Sequence, residues 1–218
     1  MAFVVSALFG AVLGYCSSRA GSYIERKLSE KRGLSAENSP FSNKVITAVS
    51  LLFGICIMLS GPTAINALYA LILLTIAETA AVMDIKHRII PNEVILALLI
   101  VKSVILVHSV FGVPAEPAAG LLSSLGGFAA CFVIFLLPSF FGKTVGAGDI
   151  KFAAAAGFCL GIRGALLAVV FMGLIVLLYA LLKPRVPFMA VLRKTVPMGP
   201  FLALGMMTVC ILLQNGMI

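Results

Sequence analysis

Long apolar runs, separated by short polar or glycine- and proline-containing breaks, dominate the sequence. Runs close to twenty residues are long enough to cross a bilayer as helices. A transmembrane β-barrel would show short segments of alternating polarity, whereas these runs are continuous. The pattern therefore predicts an all-α polytopic membrane protein with about eight transmembrane helices. The predicted helices are about 2–16, 45–60, 64–83, 91–110, 118–137, 151–160, 165–182 and 199–213. The first of them could continue toward Tyr23.

The longest hydrophilic segment, residues 17–44, separates the first two predicted helices and is interpreted as a basic cytoplasmic loop. It divides the chain into an N-terminal helix pair, residues 1–63, and a six-helix core, residues 64–218. Small residues favour close helix packing in membranes. Gly10 and Gly14 give the first helix such a face. The fifth helix has another, formed by Ser123, Ser124, Gly126 and Gly127.

The distribution of Lys and Arg residues predicts how the helices are oriented in the membrane. The chain is 61% hydrophobic and 11% charged, with a net charge of +8 at pH 7. Basic residues of membrane proteins concentrate in cytoplasmic loops. With the N-terminus outside, fourteen of the sixteen Lys and Arg residues fall in predicted cytoplasmic loops, and only Lys102 and Arg163 do not. Membrane topology thus explains the excess of basic residues, and the predicted partner is the lipid bilayer. No nucleic-acid partner is predicted.

Two aspartates fall at the predicted cytoplasmic ends of helices. Asp84 ends the third helix, and Asp149 precedes the sixth in the stretch Gly-Ala-Gly-Asp-Ile-Lys at residues 146–151. Ionised side chains are costly at membrane depth, which makes each a candidate functional residue. Gly146 and Gly148 allow the backbone to turn sharply and to come close to another part of the chain. The N-terminus of the following helix favours the negative charge of Asp149.

Each aspartate alone has a simpler explanation. Asp84 could pair with Lys86 or Arg88, and Asp149 could cap the sixth helix. Two carboxylates at matched depth favour catalysis instead, because a close pair shares a proton and supplies both a general base and a general acid. This is the chemistry of metal-free peptide hydrolysis. The sequence contains no His, Cys or carboxylate cluster with ligand spacing, so neither a metal nor another cofactor is predicted.

Three motifs carry a resemblance to a known family. In chain order they are Asp84-x6-Pro91-Asn92, Gly146-x-Gly148-Asp149-x-Lys151 and Pro197-Met198-Gly199-Pro200. From about residue 64 to 213, the chain resembles the bacterial type IV prepilin peptidases, which are GxGD-class aspartyl proteases of the inner membrane. The resemblance implies that Asp84 and Asp149 are the catalytic pair. It also implies cleavage of prepilins or pseudopilins after a glycine, between a basic leader and an apolar helix.

The resemblance further implies residues that bind substrate or support the active site. They are Gly146, Gly148, Lys151, Pro91, Asn92, Gly199 and Pro200. Lys151 could steady the Asp149 carboxylate, contact substrate, or simply extend to the lipid headgroups. Long family members carry a cytoplasmic domain with paired CxxC motifs after the first helix, linked to N-methylation of the product. Residues 17–44 are too short for that domain, so peptidase activity without methyltransferase activity is predicted.

Two other functions remain compatible with the pattern. One is a small transporter or channel that uses the aspartates as a proton or cation site, and the other is an inactive assembly factor. Deeper in the membrane, Glu78 is predicted to pair with Lys102, because an unpaired buried charge is costly. The glycine-containing turn before Asp149 predicts that the carboxylates of Asp84 and Asp149 lie apart without substrate and approach each other on binding.

Overall fold

The computed structural model describes residues 2–34, 40–112, 117–140, 145–182 and 197–214. All regular secondary structure in these ranges is helical. The helices are α1 (Ala2–Lys31), α2 (Pro40–Leu59), α3 (Ala64–His87), α4 (Asn92–Gly112), α5 (Pro117–Phe140), α6 (Ala147–Leu182) and α7 (Gly199–Gln214).

Four of the described helices, α1, α3, α5 and α6, are long and apolar enough to cross a membrane. Two others, α2 and α7, are apolar but shorter. The all-α polytopic membrane fold predicted from the sequence is therefore confirmed. The count of about eight spans and the outside location of the N-terminus stay predictions.

α1 continues far beyond its predicted end. The sequence predicts a first helix over about 2–16 and a loop over 17–44, yet α1 is helical through Lys31. The loop prediction is therefore wrong for residues 17–31, and also for residues 40–44, which belong to α2. The remainder of that segment lies partly outside the described residues.

A second helical face explains the extension of α1. Ser17, Gly21, Glu25 and Ser29 follow one another at intervals of four residues, which places them on one side of a helix. Each lies against α3, through hydrogen bonds, an ion pair or, at Gly21, close contact. The polar character of residues 17–31 thus reflects a helix interface.

α6 joins the two predicted helices 151–160 and 165–182 with a break at a single residue. Gly161 has φ 73° and ψ 175°, a conformation that only glycine adopts without strain. The predicted interruption is thus present, but it is shorter than a loop. α6 also begins at Ala147, so the candidate Asp149 belongs to its first turn.

Glycines bring two pairs of helices unusually close. A Cβ atom at Gly10 or Gly14 of α1 would collide with the backbone of α2 at Gly54 or Ser50. Gly127 of α5 makes an equally close contact with the backbone of α6. Both small-residue packing faces predicted from the sequence are confirmed, and backbone approach of this kind is the usual basis of such faces in membranes.

The first part of α6, before Gly161, forms the centre of the bundle. Its buried residues include Ile150, Phe152, Ala153, Ala154, Ala155, Ala156, Gly157, Cys159 and Leu160. Four consecutive alanines and a glycine, residues 153–157, let neighbouring helices approach this part closely. α7 packs against both α3 and α6, and α5 packs along α6. This packing brings the end of α3 and the beginnings of α6 and α7 to one end of the molecule.

Candidate active site

Asp84 lies in the last turn of α3 and is 6% exposed. The helix ends at His87, and Arg88 follows in a left-handed conformation with φ 53°. The backbone N–H of Arg88 donates to the carbonyl oxygen of Asp84 at 2.9 Å. Pro91, which is fully buried, then leads into α4, and its carbonyl oxygen accepts a hydrogen bond from the backbone N–H of Val94 at 3.1 Å. The backbone on the C-terminal side of Asp84 is therefore held firmly.

The side chain of Asp84 is bound by the first residue of α7. The backbone N–H of Gly199 donates to Asp84 Oδ2 at 2.7 Å. The first N–H groups of a helix have no partner within it and favour a negative charge nearby. A Cβ atom at position 199 would lie 2.9 Å from both Cβ and Oδ2 of Asp84. Glycine is therefore required at this position by space.

Asp149 is the third residue of α6. The carbonyl oxygen of Gly146 accepts the hydrogen bond from the backbone N–H of Ile150 at 3.2 Å, so Gly146 caps the helix. The Asp149 side chain folds back over this cap, because a Cβ atom at Gly146 would lie 2.9 Å from Asp149 Oδ2. Asp149 Oδ1 is buried without a hydrogen-bond partner. One oxygen of this carboxyl is thus desolvated and free to receive a donor.

The fold brings Asp84 and Asp149 together. Asp84 lies within electrostatic range of Asp149. Within the described residues no hydrogen bond joins the two carboxyls. Gly148 packs against the segment that follows α3, with its Cβ position 3.4 Å from Cβ of Ile90. This contact seats the beginning of α6 beside the end of α3.

Gly146 and Gly148 allow close approach, as predicted, but they do not make the predicted sharp turn. The positive-φ glycines of the described chain are Gly33, Gly61 and Gly161, so neither glycine of the Gly-Ala-Gly-Asp stretch makes a left-handed turn. Space requires glycine at position 146, whereas a Cβ atom at position 148 would make ordinary contact. At Gly146 the space is filled by a carboxylate, and at Gly148 by the neighbouring segment.

The other predicted support residues are more peripheral. Lys151 and Asn92 are exposed, and Lys151 forms no ion pair with Asp149 in the described structure. Pro200 follows Gly199 and lines a groove between α2, α3 and α7. Contact of Lys151 or Asn92 with substrate stays a prediction.

Sequence reasoning missed a polar cluster beside Asp84. Glu25 of α1 forms an ion pair with Lys86 at 3.3 Å, and each side chain is 9% exposed. Ser29 donates to Glu25 at 3.3 Å and lies within hydrogen-bond distance of His87 Nε2, also 3.3 Å. Lys86 therefore pairs with α1 instead of Asp84, and His87 is a helical residue facing α1. The four-residue spacing of Glu25 and Ser29 was the available signal.

The predicted pairing of Glu78 with Lys102 is wrong. Ser50 of α2 donates a hydrogen bond to Glu78 Oε1, while Oε2 is buried without a partner. The charge of Lys102 lies near Cys159 and Cys210, towards α6 and α7. The two residues therefore face different sides of the bundle.

The described residues provide no suitable cluster of metal ligands. No group of three or more His, Cys, Asp or Glu side chains there could hold a metal ion. Two carboxyls alone make a poor metal site, because catalytic zinc sites use three protein ligands. The arrangement fits proton transfer better, and the absence of a cofactor stays a prediction.

These features define a helical membrane protein with two carboxyls converging at one end of its bundle. Residues 69–181 match the type IV leader peptidase family. The match covers more than half of the chain, so the chain belongs to this family. It includes Asp84 and Asp149 but not Gly199. In comparisons with curated protein sequences and with solved structures, the chain matches none significantly. Membership indicates a leader-peptidase-type protease with a protein substrate.

Proposed function

We propose that this protein is a membrane aspartyl endopeptidase that removes the basic leader from type IV prepilins or pseudopilins. The observation that carries the proposal is the convergence of Asp84 and Asp149 from two helices, with Gly199 N–H bound to Asp84. Family membership supports the same class of reaction. The transporter alternative is not favoured, because the chain belongs to a peptidase family.

The proposed mechanism divides the roles of the two aspartates. Asp84 already accepts an N–H, so it acts as the ionised base, and the shared proton resides on Asp149. Asp84 removes a proton from water while the oxygen attacks the scissile carbonyl carbon, and Asp149 protonates the carbonyl oxygen. Asp84 then gives its proton to the leaving nitrogen as the C–N bond breaks. Asp149 regains a proton from the diol, which restores the pair.

The substrate proposal follows from the position of the pair. A prepilin has a basic leader before an apolar helix, so its scissile bond lies where the helix leaves the membrane. We place Asp84 and Asp149 at that depth on the cytoplasmic side of the inner membrane, as the distribution of basic residues predicts. The segment to be cleaved must be locally extended, because helical peptide bonds are engaged in the helix's own hydrogen bonds.

Substitution of each aspartate tests the proposal. Asp84→Asn and Asp149→Asn should each lower cleavage of a purified prepilin by about a thousandfold or more, since each removes one partner of the acid–base pair. Glu30→Gln, on the exposed face of α1, is the matched control. Cleavage by the unchanged protein and the control, measured by mass spectrometry, must yield a new N-terminus after a glycine. A single aspartate variant with near-normal turnover would contradict the pair.

The same experiment addresses methylation. Residues 17–31 form a helix packed on α3, and no CxxC pair stands in this part of the sequence. We therefore propose that the product leaves this enzyme without N-methylation. The mass of the mature peptide, produced with a methyl donor present, distinguishes the two products.

A further inference from the structure

We propose that the groove between α2, α3 and α7 receives the apolar side chains that follow the scissile bond in the substrate. This inference rests on the proposed function and concerns how the same site selects its substrate. The groove has a volume of about 160 Å³. A cavity of roughly 150 Å³ suffices to bind a benzene ring, so this groove accommodates one aromatic or branched aliphatic side chain at a time.

Two residues that line the groove directly follow Asp84 and Gly199 in the chain. Ile85, which lines it, directly follows Asp84. Pro200, on the opposite wall, directly follows Gly199, whose N–H binds Asp84. A peptide held extended across the two aspartates therefore places its next side chains against these walls.

The groove continues along the helices into the membrane. On α3 its wall runs from Ile85 through Ala81 and Ala77 to Leu74, eleven residues, which is roughly 16 Å of helix. On α7, Ala203 and Leu204 continue the wall that begins at Pro200, and α2 closes the third side. Grooves lined at helical spacing typically bind one face of an apolar helix. With a volume of about 160 Å³, the groove seats one side chain of that face at a time.

The walls exclude polar side chains. Among the described residues that line the groove, Glu78 is the one ionisable residue. Ser50 of α2 engages its Oε1 atom, and its Oε2 atom lies beside Gly21 of α1. The remaining lining residues are apolar, so a charged substrate side chain placed there would lose its hydration without a partner. Selection of an apolar segment immediately after the scissile bond follows from this chemistry.

Enlarging a side chain in the groove wall provides a kinetic test. Ala81→Leu narrows the groove, and Ala48→Leu makes the same change on an exposed position of α2 outside it. With a purified prepilin substrate, Ala81→Leu should raise KM about tenfold with little change in kcat, because a misfitted methylene group in an apolar pocket costs binding on this scale. Ala48→Leu should leave both constants within about twofold.

Photo-cross-linking provides a second measurement that leaves the groove unaltered. A prepilin with a diazirine leucine at one of the first positions after the scissile bond is bound to the intact Asp149→Asn enzyme in vesicles. Adducts mapped by mass spectrometry should fall on groove residues such as Val49, Ala81 and Leu204. Adducts only elsewhere on the enzyme, or only on lipid because an acyl chain fills the groove, would overturn the proposal.

The outcomes distinguish a wrong assignment of the groove from a wrong assignment of the protease function. If neither the unchanged enzyme nor Ala48→Leu cleaves prepilin, the proposed function is wrong. If both cleave and Ala81→Leu keeps a normal KM, the groove assignment is wrong while the peptidase stands. If Ala81→Leu fails to fold, the cross-linking result alone decides.

Discussion

Gly146 and Gly148 stand two residues apart and have different neighbours. A methyl group at Gly146 would lie 2.9 Å from Asp149 Oδ2, whereas one at Gly148 would make ordinary contact with Ile90 at 3.4 Å. We therefore expect Gly146→Ala to displace the carboxylate and lower kcat roughly tenfold, since small misplacements of reacting groups are costly. Gly148→Ala should cause a much smaller loss. Steady-state cleavage kinetics of the two variants provide the comparison.

Thermal unfolding supplies the control for this pair. Neither glycine has a positive φ, so alanine is compatible with the backbone at both positions. Gly148→Ala then stabilises by about 0.4–1 kcal/mol, because it reduces the freedom of the unfolded chain. Gly146→Ala should give no such gain, because Gly146 is the N-cap of α6, where alanine is disfavoured. An equal loss of turnover in both variants would show that backbone freedom matters more than the space around Asp149.

The candidate site could be predicted in part from its residues. Asp84, Asp149 and the glycines stand out because they form short motifs between apolar runs. Gly199 also belongs to a motif, but its bond to Asp84 could not be predicted, since the N–H comes from 115 residues further along the chain. A backbone donor also leaves no side-chain signature. Only the folded arrangement of α3 and α7 reveals that hydrogen bond.

α1 braces the end of α3 that carries Asp84. The brace is the buried ion pair of Glu25 with Lys86, supported by Ser29 and His87. We expect Glu25→Gln to destabilise the protein by about 3 kcal/mol, because Lys86 would remain buried without a charged partner. Loss of the brace should also lower kcat about tenfold through the position of Asp84. Unfolding in detergent and cleavage assays measure the two effects.

An exposed pair on the same helix is the matched control. Glu30 pairs with Arg26 at 3.1 Å, and its side chain is 63% exposed. Glu30→Gln should cost only about 0.3–0.5 kcal/mol and leave turnover unchanged, as expected of an exposed i,i+4 pair. If Glu25→Gln behaves like Glu30→Gln, α1 does not position Asp84.

The helices were predictable where an apolar run ends at a proline, a glycine or a charged residue. α3, α4, α5 and α7 begin and end within a few residues of their predicted limits. α1 was not, because its C-terminal half packs through Ser17, Gly21, Glu25 and Ser29 instead of through apolar residues. Apolar periodicity does not detect such an interface. The continuity of α6 across Gly161 depends on one backbone conformation, which composition does not specify.

The ends of α1 and α3 and the beginning of α4 meet at one end of the bundle. Lys31 and Arg32 form ion pairs there with Glu93, at 3.4 and 2.6 Å. This is also the end that holds Asp84. Because basic residues favour the cytoplasm, we expect this end to face inwards.

Two short tags measure the orientation. A tag inserted after Gly33 lies beyond α1, and one inserted after Gly61 lies at the opposite end of α3; both glycines have open space around them. In spheroplasts, external protease should remove the Gly61 tag and spare the Gly33 tag. The reverse pattern would place both aspartates on the outer side and contradict the proposed access of a cytoplasmic leader.

The hydrogen bond between Asp84 and Gly199 also has a consequence for biosynthesis. A nascent chain carries both aspartates by the time the first part of α6 has been synthesised, yet the donor to Asp84 comes later, with α7. Until α7 inserts, Asp84 lacks the N–H that holds its carboxylate, and the groove lacks one of its three walls. The order of translation thus completes the proposed active centre only once α7 has been synthesised and inserted.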